Sequence, residues 1–553
     1  MLELFPLVAL LNATTLISLL LLPPTLMTSG KQYDLKLTFF FTIFATQFVY
    51  AELLETKLKS CETSAEAVMK PLALLQDKVE GNVKPYKYHY PQAPLDVNGY
   101  PVAPENLQLE QVHVYVRHGE RTPVGVRMTG PPANIPEHWI MCRTARRFRA
   151  AVSSFLGFQH LPHVEQQLSQ DNNNNEETLY TRKVVERKDG SVGDGECLLG
   201  ELTDLGRQST FNFGQNLRKL YIDRLGLLPN VLPDSNIVYF RSTNMPRTTE
   251  SLQQIVHGLY PTEKCLPTAL PPLFIRNGKD ENLIGNTYAC KRLEILQISF
   301  AKAAAAEAYN KTLEHLDKKV SKYIDGNPIR VDGKPRASGV MDTIRAAIAH
   351  GVKVPPEFED KGVVGVIEQA VVSEWFAGRC GLTFRHHQCT DPLSLDKDTE
   401  EVRRLAMGRL LSDMITKMQH KIKHGDADLL KVLVHSTHDT AIAGLCSTLD
   451  VFDERWPAFT ASITFELFKQ REPAEDTRQQ GVLAYLTSSA STSLPHYIRM
   501  RYQNKNMIIP LCAEQGKHLE GHPEFCTLNA FMERVKELTP KDWDAECSPA
   551  GRQ

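Results

Sequence analysis

Three short apolar runs constrain the fold of this chain more than any other feature: Leu109–Val116, Ile237–Phe240 and Leu429–Val434. In the first, Val112, Val114 and Val116 alternate, as in a strand. Each run leads into a cluster of Arg, His or Asp. In an open α/β sheet, loops at the carboxyl ends of the strands line the ligand crevice. Three polar clusters at three such ends are therefore predicted to meet at one place.

The segments between the strands complete an α/β pattern. A helix is predicted over Leu205–Leu220 with Thr203 as N-cap. A long amphipathic helix over Glu401–Ile422 carries Val402, Leu405, Leu411, Met414, Ile415 and Met418 near helical spacing and feeds the third strand. Residues 261–400 hold mainly helical stretches, such as Leu293–Leu316 and Met341–His350, and form a candidate inserted domain; the run Ala303–Ala306 within them is strong helix former. The expected organisation is an α/β catalytic domain over 107–260 and 401–553, with a loop insertion at 160–199 and a helical cap domain at 261–400. Residues 52–106 form an N-terminal extension, with a helix expected over Glu52–Leu75 and no clear period in Val83–Pro104. The excursion after the first strand, including Asn172–Glu177 and Asp189–Gly195, is polar and loop-like.

The first fifty residues differ from the rest. Leu2–Leu22 is leucine-rich and about long enough to cross a bilayer, but no Lys or Arg precedes it. Leu37–Tyr50 is shorter, with Lys31 and Lys36 before it and small residues suited to cleavage after Ala51. A chain starting at Met27 reads as a conventional signal peptide. The preferred reading is export through the secretory pathway, to a secreted, vacuolar or lysosomal, or membrane-anchored destination. The alternative is a membrane anchor made of one or both runs in residues 1–51; a buried core helix is the plainer third. Eleven cysteines and the sequon Asn310-Lys311-Thr312 fit an exported chain. Eleven is odd, so at least one thiol is free, with Cys446 in an apolar stretch the candidate.

Composition excludes several classes. The 553 residues are 42% hydrophobic and 23% charged, which rules out a disordered tail protein, a collagen-like repeat and a polytopic transporter. Sixty-three Lys+Arg against 65 Asp+Glu leave a net charge of −2, so no overall field draws the chain onto nucleic acid. An anionic ligand must be held by a few placed arginines.

The clusters supply them. Arg117-His118-Gly119-Glu120-Arg121-Thr122-Pro123 follows the first strand. Arg117 and Arg121 can grip phosphate oxygens bidentately. The two cations disfavour protonation of His118 between them, leaving a neutral nucleophilic nitrogen for in-line attack and a phosphohistidine intermediate. Arg241-Ser242-Thr243-Asn244-Met245-Pro246-Arg247-Thr248 follows the second strand and offers a third guanidinium, Arg241 or Arg247. After the third strand, His438 can hold the phosphoryl group from the other side. Asp439 can protonate the leaving oxygen and then activate water, for which it must keep its proton.

Plainer readings compete. A single Arg or His is usually a surface or satisfied residue. The full Arg-His-Gly-x-Arg-x-Pro pattern, however, is expected by chance on the order of 10⁻⁴ times in a chain this long. His113 and Tyr115 read as strand packing, and Arg241 as a structural ion pair if it faces an acid. His435 with His438 and Asp439, and His386, His387 with Cys389, lack zinc-site spacing; Cys389 reads better as a disulfide partner of Cys380.

These motifs resemble the histidine acid phosphatase family, branch 2 of the histidine phosphatase superfamily. The resemblance covers about residues 108–547: Arg117–Pro123, Gly200-Glu201-Leu202-Thr203 with Leu205-Gly206, Arg241-Ser242-Thr243 with Arg247-Thr248, and His438-Asp439-Thr440. It implies a phosphoglycerate-mutase-like α/β sandwich with an inserted, mainly helical cap, a phosphate monoester substrate, and phosphohistidine chemistry with no metal or other cofactor. It makes His118 the nucleophile and Asp439 the proton donor; Arg117, Arg121, Arg247 and His438 become the phosphate ligands, which favours Arg247 over Arg241. Arg241–Asn244 with Glu250-Ser251, and Phe452-Asp453 followed by Trp456-Pro457 and Phe459, are similar to the lysophosphatidic acid phosphatase type. The tail from Pro540 to Cys547 is similar to the prostatic type and implies bridges Cys290–Cys547 and Cys512–Cys526. Two departures stand out: Thr437 replaces a small residue before His438, and Val124–Leu199 is unusually long. Lysophospholipid, inositol phosphate, sugar phosphate and phosphotyrosine are the candidate substrates; a mutase or a catalytically inactive scaffold is the competing class.

Overall fold

The computed structural model describes residues 94–147, 149–152, 179–306, 309–376, 400–472 and 494–549, all within the unit Tyr88–Gln553. The two N-terminal apolar runs, Glu52–Leu75, Asn172–Glu177, and the residues Cys380, His386, His387 and Cys389 lie outside them. Among the described residues, no helix is long and apolar enough to cross a membrane.

The strands are β1 (Leu107–Arg117), β2 (Arg149–Val152), β3 (Leu179–Arg182), β4 (Val238–Ser242), β5 (Leu273–Phe274), β6 (Val432–Thr437), β7 (Ser462–Gln470), β8 (His496–Tyr502), β9 (Lys505–Met507), β10 (His518–Leu519) and β11 (His522–Thr527). The helices of ten or more residues are α1 (Asp204–Arg218), α2 (Pro246–Leu259), α3 (Lys291–Ala306), α4 (Ala337–Ala349), α5 (Lys361–Phe376), α6 (Arg409–His424), α7 (Asp439–Thr448) and α8 (Leu528–Leu538). A mixed sheet runs β10-β11-β8-β7-β1-β6-β4-β5, with β9 on β8; β2 and β3 form a separate hairpin. β1, β6, β4 and β5 are parallel, and β7 returns antiparallel beside β1.

Alternation along β1 divides the core. Val112, Val114 and Val116 pack with Phe240, Val432 and Val434 against Phe213 and Leu217 of α1 and Leu252, Ile255 and Leu259 of α2. Tyr115 faces the opposite layer, where Ile463 and Phe465 of β7 meet Met414 and Met418 of α6, Ile442 of α7 and Phe531 of α8. The sheet is thus sandwiched between helices, which is the expected α/β sandwich. Arg499 and Glu466, both fully buried, pair across β7 and β8, and Tyr100 closes this network by accepting from Arg499 (2.7 Å) and donating to Glu466 (2.8 Å). Tyr100, in the described end of the N-terminal extension, is therefore part of the core.

The predicted second and third strands are displaced. β4 starts one residue late and runs through Ser242, and β6 spans Val432–Thr437 rather than Leu429–Val434. Both continue into their polar residues because neighbouring strands pair there: Arg241 lies opposite His435, and Ser242 opposite Ser436. Backbone pairing does not require an apolar side chain once the segment is enclosed. Helix occupies the described part of the predicted Leu293–Leu316 stretch, in α3 and again over Tyr309–Leu313, with a 3-10 turn at Glu314–Leu316. Thr203 caps α1 as expected, accepting from the Gly206 N–H.

A separate helical core forms the cap. Residues between Leu313 and Val371 pack there with Met128, Ile135, Trp139 and Cys142 from the excursion after β1. A disulfide, Cys142–Cys197, ties that excursion together. Polar composition elsewhere in this stretch hid these buried residues from the sequence pattern. The bridges Cys290–Cys547 and Cys512–Cys526 are present as the resemblance implied, and Cys446 is free and buried.

Candidate active site

The parallel strands bring the clusters together because their ends lie at one level. Arg117 is in register with Thr437, and Ser242 with Ser436. The His118 N–H then donates to the Thr437 carbonyl (2.9 Å). A Cβ at Gly119 would stand 2.4 Å from the Gly206 carbonyl oxygen, so the turn after His118 packs directly on α1 and only glycine fits. Ser251 of α2 accepts from the Gly119 N–H (3.1 Å).

His118 is 1% exposed, and its Nδ1 lies 2.8 Å from the Gly119 carbonyl. A carbonyl only accepts, so Nδ1 carries the hydrogen and Nε2 presents a lone pair. Burial first, then the charges of Arg117 and Arg121 and the positions of His438 and Arg247, hold the ring well below the usual imidazole range. The sequence argument invoked two cations; desolvation is the larger cause.

The His438 ring sits 5.6 Å from that of His118, edge to face. Its Nε2 is 3.0 Å from the Thr243 hydroxyl, itself 2.8 Å from that of Thr248. Burial and Arg247 push His438 down to about 4. His438 caps α7 at its N-terminus, and Arg247 is the second residue of α2. Two helices therefore begin at the site, and their positive dipole ends add to its attraction for an anion.

Arg117 lies against Phe459, 4.3 Å from the ring centre, donates to the Pro457 carbonyl (2.6 Å) and forms an ion pair with Asp439 Oδ2 (2.7 Å). Arg121 is held by Asp342 on α4 of the cap (2.9 Å), which also accepts from the Val124 N–H. Arg247 has no carboxylate within ion-pair distance among the described residues, and it lines one cavity with His438 and Asp439. Arg241, in contrast, is buried and paired with Glu281. The second cluster thus contributes Arg247 to the cavity and places Arg241 in an ion pair.

Asp439 corrects one expectation. Burial favours its protonated form, but Arg117, Arg121, His438 and the indole N–H of Trp456 outweigh burial and hold it below the usual carboxylate range. The resting site therefore holds a carboxylate, not the acid that keeps its proton. Oδ2 accepts from Trp456 Nε1 (3.0 Å) and is ion-paired with Arg117, while Oδ1, among the described residues, accepts only from the Thr440 N–H (2.9 Å). Oδ1 keeps a lone pair on which a proton can be carried.

Thr437 does not reach the site: its hydroxyl donates to the Leu283 carbonyl (2.5 Å). His435 stacks on Tyr115 with ring centres 4.6 Å apart, in the packing layer with His113. Among the described residues, no group of three His, Cys, Asp or Glu is placed to hold a metal. Asp342 was invisible to sequence reasoning because nothing in a mid-helix aspartate of the cap announces a partner in the first cluster. Trp456 and Phe459 drew notice only as marks of resemblance.

The cavity beside Arg247, His438 and Asp439 measures about 460 Å³. Its walls include Met245, Ile284, Val372, Trp375, Phe376, Met407 and Phe452, with Gln297, Gln369 and Ser373 among the polar residues. Glu374, also on the wall, is pushed by burial up to about 7 and is uncharged in acid.

The profile of the histidine phosphatase superfamily (branch 2) matches residues 108–503. A probable acid phosphatase of Schizosaccharomyces pombe is 32% identical over 477 residues, covering 81% of this chain and 95% of the relative. The human lysophosphatidic acid phosphatase type 6 is 23% identical over 359 residues, covering 64% of this chain and 70% of the relative. Among solved structures, a phytase from Citrobacter braakii aligns with a TM-score of 0.45 at 14% identity, covering 80% of this chain and 99% of the other.

Proposed function

From the premise that the chain belongs to branch 2 of the histidine phosphatase superfamily and is a histidine acid phosphatase, we propose that it hydrolyses phosphate monoesters through a phosphohistidine on His118. One observation carries this reading: a buried, neutral imidazole with a free Nε2 lone pair stands among Arg117, Arg121 and Arg247. The three guanidinium groups clamp the phosphoryl oxygens and stabilise the charge spread over them in the transition state. The Nε2 lone pair attacks phosphorus while the ester P–O bond breaks toward the leaving oxygen. Asp439 Oδ1 gives that oxygen a proton. In the second step Asp439 takes a proton from water, the oxygen attacks phosphorus, and the P–N bond returns its electrons to Nε2.

Since the resting Asp439 is a carboxylate, the first proton arrives with the substrate. A phosphate monoester is a monoanion below its second pKa of about 6. Binding that anion beside Asp439 raises the carboxyl pKa, so the proton passes to Oδ1. This sets the sign of the pH dependence. Activity is lost at low pH where the site histidines protonate, both below the ordinary imidazole value. Activity falls on the alkaline side as the substrate becomes a dianion. Profiles of kcat/KM for monoesters with different second phosphate pKa values should show an alkaline limb that moves with the substrate; an alkaline limb fixed across the series would contradict this proton source.

Arg247→Ala should lower kcat/KM by roughly 10²–10³-fold, because it removes a cation aimed at developing charge. Arg241→Ala should act on stability instead, costing about 3–5 kcal/mol by stranding buried Glu281. Kinetics and thermal unfolding of both variants separate the roles; an unaffected rate in Arg247→Ala would move the third clamp elsewhere.

For the substrate we favour a monoester with an apolar tail, of the lysophosphatidic acid kind. The apolar walls next to His438 and Asp439 support this, as does the activity named for the human relative. Phosphate release from lysophosphatidic acid, glycerol 3-phosphate and an inositol phosphate at acidic pH tests the choice. The tailed substrate should have the highest kcat/KM; preference for the inositol phosphate would overturn the tail assignment and leave the phosphatase reading standing. The three disulfides among the described residues support a secretory route, as proposed from the N-terminal sequence.

A further inference from the structure

We infer that Trp456 is a positioning residue for the proton-donating carboxylate, through which the helical cap orients Asp439; this rests on the assignment of Asp439 as proton donor. Three observations converge on this side chain. Its indole N–H donates to Asp439 Oδ2 (3.0 Å), the atom that Arg117 also binds. Held on Oδ2 by this hydrogen bond and by the ion pair with Arg117, the carboxyl group is fixed in rotation and its proton is directed to Oδ1.

The backbone of Trp456 is grasped from the cap. Its N–H donates to Glu368 of α5 (2.8 Å), and its carbonyl accepts from Arg345 of α4 (3.3 Å). Arg345 and Glu368 are themselves paired at 2.6 Å. The ring is partly buried and packs on both the sheet-side core and the cap core. Phe376 and Trp375, which line the apolar cavity, meet it at 5.4 and 5.9 Å between ring centres. Trp456 is thus the link from two cap helices and the cavity wall to the carboxylate. An indole suits the position because it is an apolar body with one N–H donor and no acceptor.

A residue that only filled space would affect all substrates alike. A residue that orients the proton donor matters when the leaving group needs a proton and little when it does not. In Trp456→Phe, which keeps an aromatic ring and loses the donor, kcat/KM, which reports the first step and not the shared hydrolysis of the phosphohistidine, should fall about 10- to 100-fold on glycerol 3-phosphate and on dodecyl phosphate. On p-nitrophenyl phosphate it should change by less than about threefold, which also certifies a folded site. Glu368→Ala, which frees the Trp456 backbone and leaves the indole in place, should show the same selective loss to a smaller degree, and serves if Trp456→Phe does not fold. Asp439→Asn is run beside them. If Asp439→Asn is selective for alkyl esters and the foldable Trp456 or Glu368 variant is not, the positioning role is overturned. If Asp439→Asn itself loses equally on both ester types, the proton-donor assignment fails and Trp456 with it.

Discussion

His118→Ala is expected to lower kcat for phosphate release by on the order of 10⁵-fold or more, with the protein still folded. The size follows from the geometry: His118 presents its Nε2 lone pair while its Nδ1 is held as a donor by the Gly119 carbonyl, whereas Nε2 of His438, the neighbouring imidazole, is engaged by Thr243. The backbone N–H groups of Gly119 and His118 are bound by the Ser251 hydroxyl and the Thr437 carbonyl. The turn therefore keeps its shape when the imidazole is removed. Arg117, Arg121 and Arg247 remain to bind inorganic phosphate, so the variant should still be protected by phosphate in thermal unfolding. Turnover within about 100-fold of the wild type would mean that water attacks phosphorus directly, and would also be the result expected of a scaffold whose catalysis lies elsewhere.

The second large effect is expected from Asp439→Asn, and its signature is selectivity. With alkyl leaving groups the loss should reach about 10²–10⁴-fold, the usual scale of general acid catalysis. With p-nitrophenyl phosphate, whose leaving group departs without a proton, the first step should be nearly preserved. The substitution also removes the anion paired with Arg117 at 2.7 Å. Product phosphate should consequently bind more tightly to the variant. Values of kcat/KM on both ester types, which report the first step, and phosphate inhibition constants check these outcomes together. Equal losses on both esters would assign Asp439 to charge balance rather than proton transfer.

The parts of this site that were legible in the sequence are those carried by local pattern. Val112, Val114 and Val116 alternate because β1 is buried between helices, and His118 follows because a strand end is where polar groups reach the crevice. The resemblance then separated Arg247 from Arg241, which spacing alone left open; pairing with Glu281 gives Arg241 a structural reason for being there. The misplaced boundaries of β4 and β6 have one cause. Apolar content marked the strands, whereas pairing with neighbours extends them through Arg241-Ser242 and His435-Ser436-Thr437. The elements supplied from far along the chain were not legible. Asp342 and Glu368 lie on cap helices and act on the first and third clusters only through the tertiary arrangement. The charge state of resting Asp439 was misread for a related reason: it depends on Arg117 and Trp456, and no local window contains all three residues.

Covalent chemistry at His118 is open to direct measurement. The enzyme is mixed with a ³²P-labelled monoester, quenched within milliseconds in alkali, digested and mapped. The label should sit on His118, as a phosphoramidate that survives alkali and is released by acid, and it should accumulate further in Asp439→Asn, where activation of water is impaired. Full turnover with no trapped label, or an acid-stable label on any other residue, would contradict the account.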